Sequence, residues 1–133
     1  MSFIIFGSLL RLLCYRTLGK FFTFEITIRQ DHKIVDIGPY GIVRHPSYTG
    51  SLFLLGGAII LASGPGTYPW ACGLTNSSLV LSSLLAWDAC LVYCIYSLLS
   101  RGPVEDRGLR KQFGKEWEEY AKRVPCRFIP GLI

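Results

Sequence analysis

Residues 46–63 read Pro-Ser-Tyr-Thr-Gly-Ser-Leu-Phe-Leu-Leu-Gly-Gly-Ala-Ile-Ile-Leu-Ala-Ser and carry no charged side chain. The silence continues beyond them, because no Asp, Glu, Lys or Arg occurs from Pro46 to Trp87. A helix of about 20 apolar residues crosses the hydrocarbon core of a bilayer, and this run approaches that length. Pro46 suits the first turn of such a helix, where a missing N–H leaves nothing unpaired. Gly64-Pro65-Gly66 breaks the run and Pro69 reinforces the break. A second apolar run from Leu79 to Ser100 predicts a returning helix. Strands of a membrane barrel would alternate in polarity, and these runs do not. The stretch therefore predicts an all-α integral membrane protein built on a transmembrane helical hairpin.

Composition agrees. Half of the 133 residues are hydrophobic and 17% are charged, against about a quarter in soluble domains. Basic residues flank the hairpin on both sides, from Arg11 to Arg44 before it and from Arg101 to Arg127 after it, and none lies in the connecting loop. The positive-inside rule places both flanks in the cytosol. The net charge of +5 belongs to these flanks, so the expected partner is the headgroup layer of the lipid bilayer and not nucleic acid. Asn76-Ser77-Ser78 forms a glycosylation sequon on the opposite side. Asp88 lies inside the second run, where a carboxylate serves function, a helix-packing hydrogen bond or a local water pocket.

Five cysteines, Cys14, Cys72, Cys90, Cys94 and Cys126, form no C-x-x-C pair, and neither histidine neighbours one. No metal site is expected. Residues 3–15 are apolar but too short for a full span; they fit the end of a membrane helix or a short interfacial anchor. Phe21–Ile28 fits either an extended segment or a helix near the headgroups. Behind the hairpin, Leu109, Phe113, Trp117, Tyr120, Ala121 and Val124 recur at helical spacing. They predict a cytosolic amphipathic helix, with Glu118–Lys122 and Glu119–Arg123 pairs on its polar face and an end at Pro125.

The densest polar stretch precedes the hairpin and holds both histidines: His32-Lys33-Ile34-Val35, then the turn Gly38-Pro39-Tyr40-Gly41, then Arg44-His45-Pro46-Ser47-Tyr48-Thr49-Gly50. Taken singly, His45 caps the helix that follows it, the tyrosines are interfacial aromatics, and Arg101 with Glu105 is an i,i+4 ion pair worth ~0.3–0.5 kcal/mol. Taken in order, the stretch followed by the hairpin, by Arg101-x-x-x-Glu105-Asp106-x-x-Leu109-x-x-x-Phe113-Gly114 and by Trp117-x-x-Tyr120-x-x-Arg123-Val124-Pro125 resembles the isoprenylcysteine carboxyl methyltransferase family. The resemblance covers roughly residues 25–133.

The resemblance implies methylation of the α-carboxylate of a C-terminal S-isoprenylcysteine in CaaX-processed proteins, with S-adenosyl-L-methionine as methyl donor, in a multi-pass protein of the endoplasmic reticulum membrane. It implies one methyltransferase domain over residues 1–133, short of the family's N-terminal membrane helices. It puts cofactor contacts on His32, Lys33, Ile34, Val35, Tyr40, His45, Pro46, Ser47, Tyr48 and Glu105, and the substrate carboxylate on Arg101. No general base is implied, since a terminal carboxyl with a pKa of roughly 3.3–3.7 is already ionised at neutral pH. No G-x-G-x-x-G fingerprint occurs, so the fold expected is not the Rossmann type of soluble methyltransferases. The alternatives are a lipid or amine methyltransferase of the membrane and a truncated, non-catalytic membrane binding protein.

Overall fold

The computed structural model describes residues 1–19 and 34–131. The expectations placed on His32, Lys33 and Phe21–Ile28 lie outside these residues. Among the described residues five α-helices follow in order: α1 (Ser2–Leu18), α2 (Pro46–Ser63), α3 (Tyr68–Ala71), α4 (Ser78–Phe113) and α5 (Lys115–Arg123). Short 3-10 turns at Gly38–Gly41 and Leu74–Asn76 join them. The described residues contain no strand.

The chain is an all-α integral membrane protein. Two stretches, α2 through α3 and α4, are long and apolar enough to cross a membrane. A soluble core helix of this hydropathy would bury its apolar side chains. In α4, Leu79, Leu85, Val92, Tyr93 and Tyr96 are instead all more than half exposed, as suits a helix whose solvent is lipid.

α1 departs from the interfacial-anchor expectation, because it packs antiparallel along α2. Small residues permit the approach. A Cβ on Gly50 would stand 2.8 Å from the Gly7 carbonyl oxygen, and one on Gly57 2.8 Å from Ile4. Phe53 lies between Phe3 and Phe6, stacked on one at 5.9 Å and edge-on to the other at 5.0 Å. Helix association in lipid depends on such close packing, since lipid chains are as apolar as leucine. Arg11, one of the basic residues assigned to the flank, donates to Ser51 and Tyr15 within this seam. Gly7→Val is expected to force the two backbones apart and lower the melting temperature in detergent, at a cost of about 1–3 kcal/mol; an unchanged melting curve contradicts the seam.

α4 departs from the expected boundary at Ser100. Its 36 residues make a rod of about 54 Å at 1.5 Å per residue, well beyond the membrane core. Pro103 sits inside it and forfeits one backbone hydrogen bond. The helix persists because the next turn, Glu105 and Asp106, is bound by residues from other parts of the chain, before α2, on α2 and after α5. The rod ends at Gly114, whose φ of +53° is the left-handed geometry that glycine adopts without strain.

The amphipathic stripe is therefore split between α4 and α5 but remains one surface: Trp117, Tyr120 and Val124 are buried together, with Leu109, Phe113, Ala121 and Ile34 packed around them. The turn at Gly114 also changes the ion pairing. Glu118 pairs with Arg110 at 2.7 Å and Arg123 with Asp36 at 2.8 Å, in place of the expected i,i+4 partners.

Candidate functional site

Where α4 leaves its apolar stretch, the N-terminus of α2 and the C-terminal segment 125–128 close on it. The backbone of the segment pairs with the residues before α2: Arg44 N–H donates to the Cys126 carbonyl at 3.0 Å and His45 N–H to the Arg127 carbonyl at 2.8 Å. Thr49, buried in the first turn of α2, donates its hydroxyl to the Phe128 carbonyl. The Phe128 ring lies 5.7 Å from the His45 ring and 6.4 Å from the Tyr48 ring. Gly102 makes room for it, since a Cβ there would stand 2.5 Å from the ring edge.

Charged side chains converge on two adjacent carboxylates. Tyr48 donates its hydroxyl to Glu105 Oε1. His45 Nδ1 faces Glu105 Oε2 at 3.4 Å, and His45 Nε2 lies 3.0 Å from Asp106 Oδ1. Asp106 Oδ2 receives Arg44 Nη1 at 3.0 Å and Arg127 Nε at 3.1 Å. Asp106 is 5% exposed, whereas the Glu105 side chain keeps 25% of its surface open. The Arg44 guanidinium also bonds the Pro125 carbonyl at 3.0 Å and lies over the Trp117 ring at 5.6 Å.

An imidazole flanked by two carboxylates donates to both only when both nitrogens carry protons. Burial opposes that charge, but the hydrogen bonds to Asp106 and Glu105 outweigh it, and His45 holds its proton above the usual histidine range.

The structure brings His45, Tyr48 and Glu105 into contact. Arg101 stands one helical turn before Glu105 on α4, exposed, and its charge reaches the Tyr48 hydroxyl. Tyr40 is buried beside Cys14 and accepts at its carbonyl from the Tyr120 hydroxyl at 2.8 Å. Burial, first of all, pushes the Tyr40 phenol up and that of Tyr120 up to about 12, so both remain neutral donors. Pro46 is fully buried, and the Ser47 carbonyl accepts from Ser51 at 3.1 Å. Ile34 and Val35 are half-buried.

Two single-residue readings are corrected. His45 occupies the N-cap of α2, but its side chain makes no cap bond; it is committed to the acids. Glu105 takes Tyr48 and His45 as partners, and no ion pair joins it to Arg101 among the described residues. Sequence reasoning passed over Asp106, Arg127 and Phe128 as members of the site. A signal for the first existed: two adjacent cationic residues, Arg44-His45, answer two adjacent acids, Glu105-Asp106.

Along α4, Tyr93, Tyr96, Ser97, Ser100, Arg101 and Val104 line an open groove of ≈ 400 Å³. Arg101 lies on its lining one helical turn from Glu105. Glu105, with one partner on each oxygen and part of its surface open, retains lone pairs for a hydroxyl or ammonium donor. A bound ligand with hydroxyl or ammonium groups offers such donors.

The family model described as isoprenylcysteine carboxyl methyltransferase (ICMT) matches residues 1–107. Protein-S-isoprenylcysteine O-methyltransferase B of Arabidopsis thaliana is 32% identical over 94% of this chain and 55% of its own length. Protein-S-isoprenylcysteine O-methyltransferase A of the same plant is 28% identical over 91% and 53%. Delta(14)-sterol reductase of Dictyostelium discoideum is 31% identical over 86% of this chain and 21% of its own length. No solved structure matches. The chain spans about half the length of the methyltransferase relatives it matches. With the motif residues meeting at one site and the family model covering most of the sequence, the chain belongs to the isoprenylcysteine carboxyl methyltransferase family.

Proposed function

We propose that the chain forms the donor- and carboxylate-binding part of a membrane methyltransferase that esterifies the C-terminal carboxylate of S-isoprenylcysteine on CaaX-processed proteins. The observation that carries this reading is the meeting of Glu105 with His45 and Tyr48, one turn of α4 from Arg101. The methyl donor is S-adenosyl-L-methionine, which supplies an electrophilic methyl group on a sulfonium. Glu105 accepts its hydroxyl or ammonium hydrogens, and Tyr48 and His45 hold the Glu105 carboxylate in place. The residues of the 34–35 and 40 region, with His32 and Lys33 ahead of them, and Pro46-Ser47 at the head of α2 complete the donor site.

Arg101 orients the substrate carboxylate. S-adenosylmethionine held by these residues would supply its methyl group to that carboxylate, with S-adenosylhomocysteine as the other product. No proton moves, so no residue acts as a base. What the protein contributes is alignment, for which effective molarities are large. The groove from Tyr93 to Val104 is mostly aromatic and apolar and has Arg101 as its one charged lining residue, which suits a substrate with an apolar tail and an anionic head. Keeping a prenyl tail in lipid avoids about 0.8 kcal/mol per CH₂-sized unit on exposure to water. The protein resides in the endoplasmic reticulum membrane with the site on the cytosolic side, where the basic flanks lie.

Membranes carrying the protein are expected to transfer labelled methyl from S-adenosylmethionine to N-acetyl-S-farnesylcysteine as a base-labile ester. Arg101→Ala raises KM for this acceptor about tenfold, the worth of one partly solvated charge-assisted contact, with donor affinity unchanged. No ester from the wild type overturns the activity, and an unchanged KM removes Arg101 from the substrate site.

The match to Delta(14)-sterol reductase favours a second reading, a membrane sterol reductase. Reduction of a Δ14 sterol by the same membranes supplied with a reductant, without ester formation, would select it. Arg101 favours the first reading, because a neutral sterol presents no carboxylate to it.

A further inference from the structure

Asp106 has no part in the chemistry above, yet it is the most heavily bonded side chain of the site. Its Oδ1 faces His45, and its Oδ2 holds both Arg44 and Arg127. The cluster contains two permanent cations, Arg44 and Arg127, within reach of an imidazole that is itself buried. A third positive charge in such a place is unfavourable unless acids balance it. Glu105 supplies one negative charge and Asp106 the second.

We propose that Asp106 is a positioning residue: it binds Arg44, His45 and Arg127 on one carboxylate and so fixes the His45 ring with one N–H toward each acid, which aims Glu105 at the donor. The last step rests on the methyl-donor reading given above. With Asp106 present, the five charged groups sum to one positive charge. Without it they sum to two, and the ring sheds its proton. A neutral ring has a single N–H and cannot serve both sides. The groups facing the ring are Tyr48 from α2, Glu105 and Asp106 from α4, Arg44 beside it and Arg127 from the C-terminal segment, with Phe128 as the apolar wall.

The raised proton affinity of His45 agrees. Because the folded value lies above the unfolded value of about 6.5, the stabilisation is fully present below that pH. It is lost as pH rises through the folded value.

The full chain, labelled with ¹⁵N-histidine in detergent micelles, tests this directly. It has two histidines, and His45→Gln assigns the signals. At about pH 6.5, the ordinary histidine value, the wild-type His45 ring is expected to show two protonated nitrogens. In Asp106→Asn it is expected to bind its proton at least tenfold more weakly, and Asp106→Glu restores it. Arg127→Gln removes a cation at a half-exposed position and shifts the ring the other way, toward tighter proton binding, which a merely structural role would not do. A wild-type ring that is neutral at this pH, an Asp106→Asn ring titrating like the wild type, or a downward shift in Arg127→Gln overturns the proposal.

Binding of S-adenosylmethionine is measured alongside. Asp106→Asn is expected to bind it about tenfold more weakly, with a deficit that widens from about pH 6 to pH 8. A deficit that does not change with pH overturns the coupling to Glu105. A wild type with the doubly protonated ring but no affinity for S-adenosylmethionine overturns the methyl-donor reading and leaves the Asp106 lock standing.

Discussion

Ending the chain at Val124 is expected to abolish donor binding and to remove at least about 5 kcal/mol of stability. The deleted segment supplies the acceptors for Arg44 N–H, His45 N–H, the Arg44 guanidinium and the Thr49 hydroxyl. The two backbone N–H groups lose their acceptors outright, at about 1–3 kcal/mol for each buried one, whereas Thr49 keeps the His45 carbonyl and Arg44 keeps Asp106. The Phe128 ring, 4% exposed, adds about 3–5 kcal/mol, the usual cost of truncating a buried aromatic. The sum rivals the whole stability of a typical domain, about 5–15 kcal/mol. Phe128→Ala separates packing from bonding: it keeps every backbone acceptor and removes only the wall on which His45 and Tyr48 rest. Its expected result is a protein that still folds in detergent, melts lower, and binds S-adenosylmethionine more weakly. A truncated chain that melts and binds like the full one would detach the C-terminal segment from the site, although the family model itself stops at residue 107.

That segment marks the limit of what the sequence made legible. The apolar runs could be read because lipid imposes a simple rule: uncharged length equals a span. α2 begins at Pro46 and ends at Ser63, as proline and Gly64-Pro65-Gly66 dictate. The amphipathic stripe from Leu109 to Val124 could be read because helical periodicity survives a turn at Gly114 that keeps its apolar face continuous. The break itself was hidden, since a lone glycine is tolerated inside a helix and betrays its left-handed φ only in three dimensions.

The end of α4 was misplaced for a related reason. Arg101-Gly102-Pro103 has the composition of a break, and local propensity was outweighed by Tyr48, His45 and Arg44 bonding the turn beyond it. Contacts far apart in sequence leave no period to find. Arg44 and Arg127 looked like two more basic flank residues; that both reach Asp106 follows from the path of the C-terminal segment. Arg11 is a third case, a cation counted toward orientation that the fold uses between α1 and α2. Among site residues, His45, Tyr48 and Glu105 came together, Arg44 and Asp106 stood in the motifs without a role assigned to them, and Arg127 and Phe128 lay outside the motifs.

The second large effect concerns the residue on which these paths meet. Glu105→Gln is expected to lower kcat/KM for methyl transfer about 100-fold, through the donor and not through the acceptor. Glutamine preserves size and keeps one acceptor oxygen, so Tyr48 retains a partner. It replaces the other oxygen with an NH₂ group that meets the N–H of His45 donor to donor. It also removes the negative charge that, in the proposed donor site, would serve a hydroxyl or ammonium group, where charge-assisted bonds are worth about 1.5–3 kcal/mol each. Two such losses give a change near 3 kcal/mol, about two powers of ten. The signature is a rise in donor KM with acceptor KM unchanged, the mirror image of Arg101→Ala. Glu105→Asp shortens the arm by one methylene while keeping the charge, so it should recover the His45 interaction before it recovers turnover. Equal loss in both donor and acceptor KM would mean that Glu105 holds the fold of the site and not the donor, and the division of labour between Arg101 and Glu105 along one turn of α4 would fall with it.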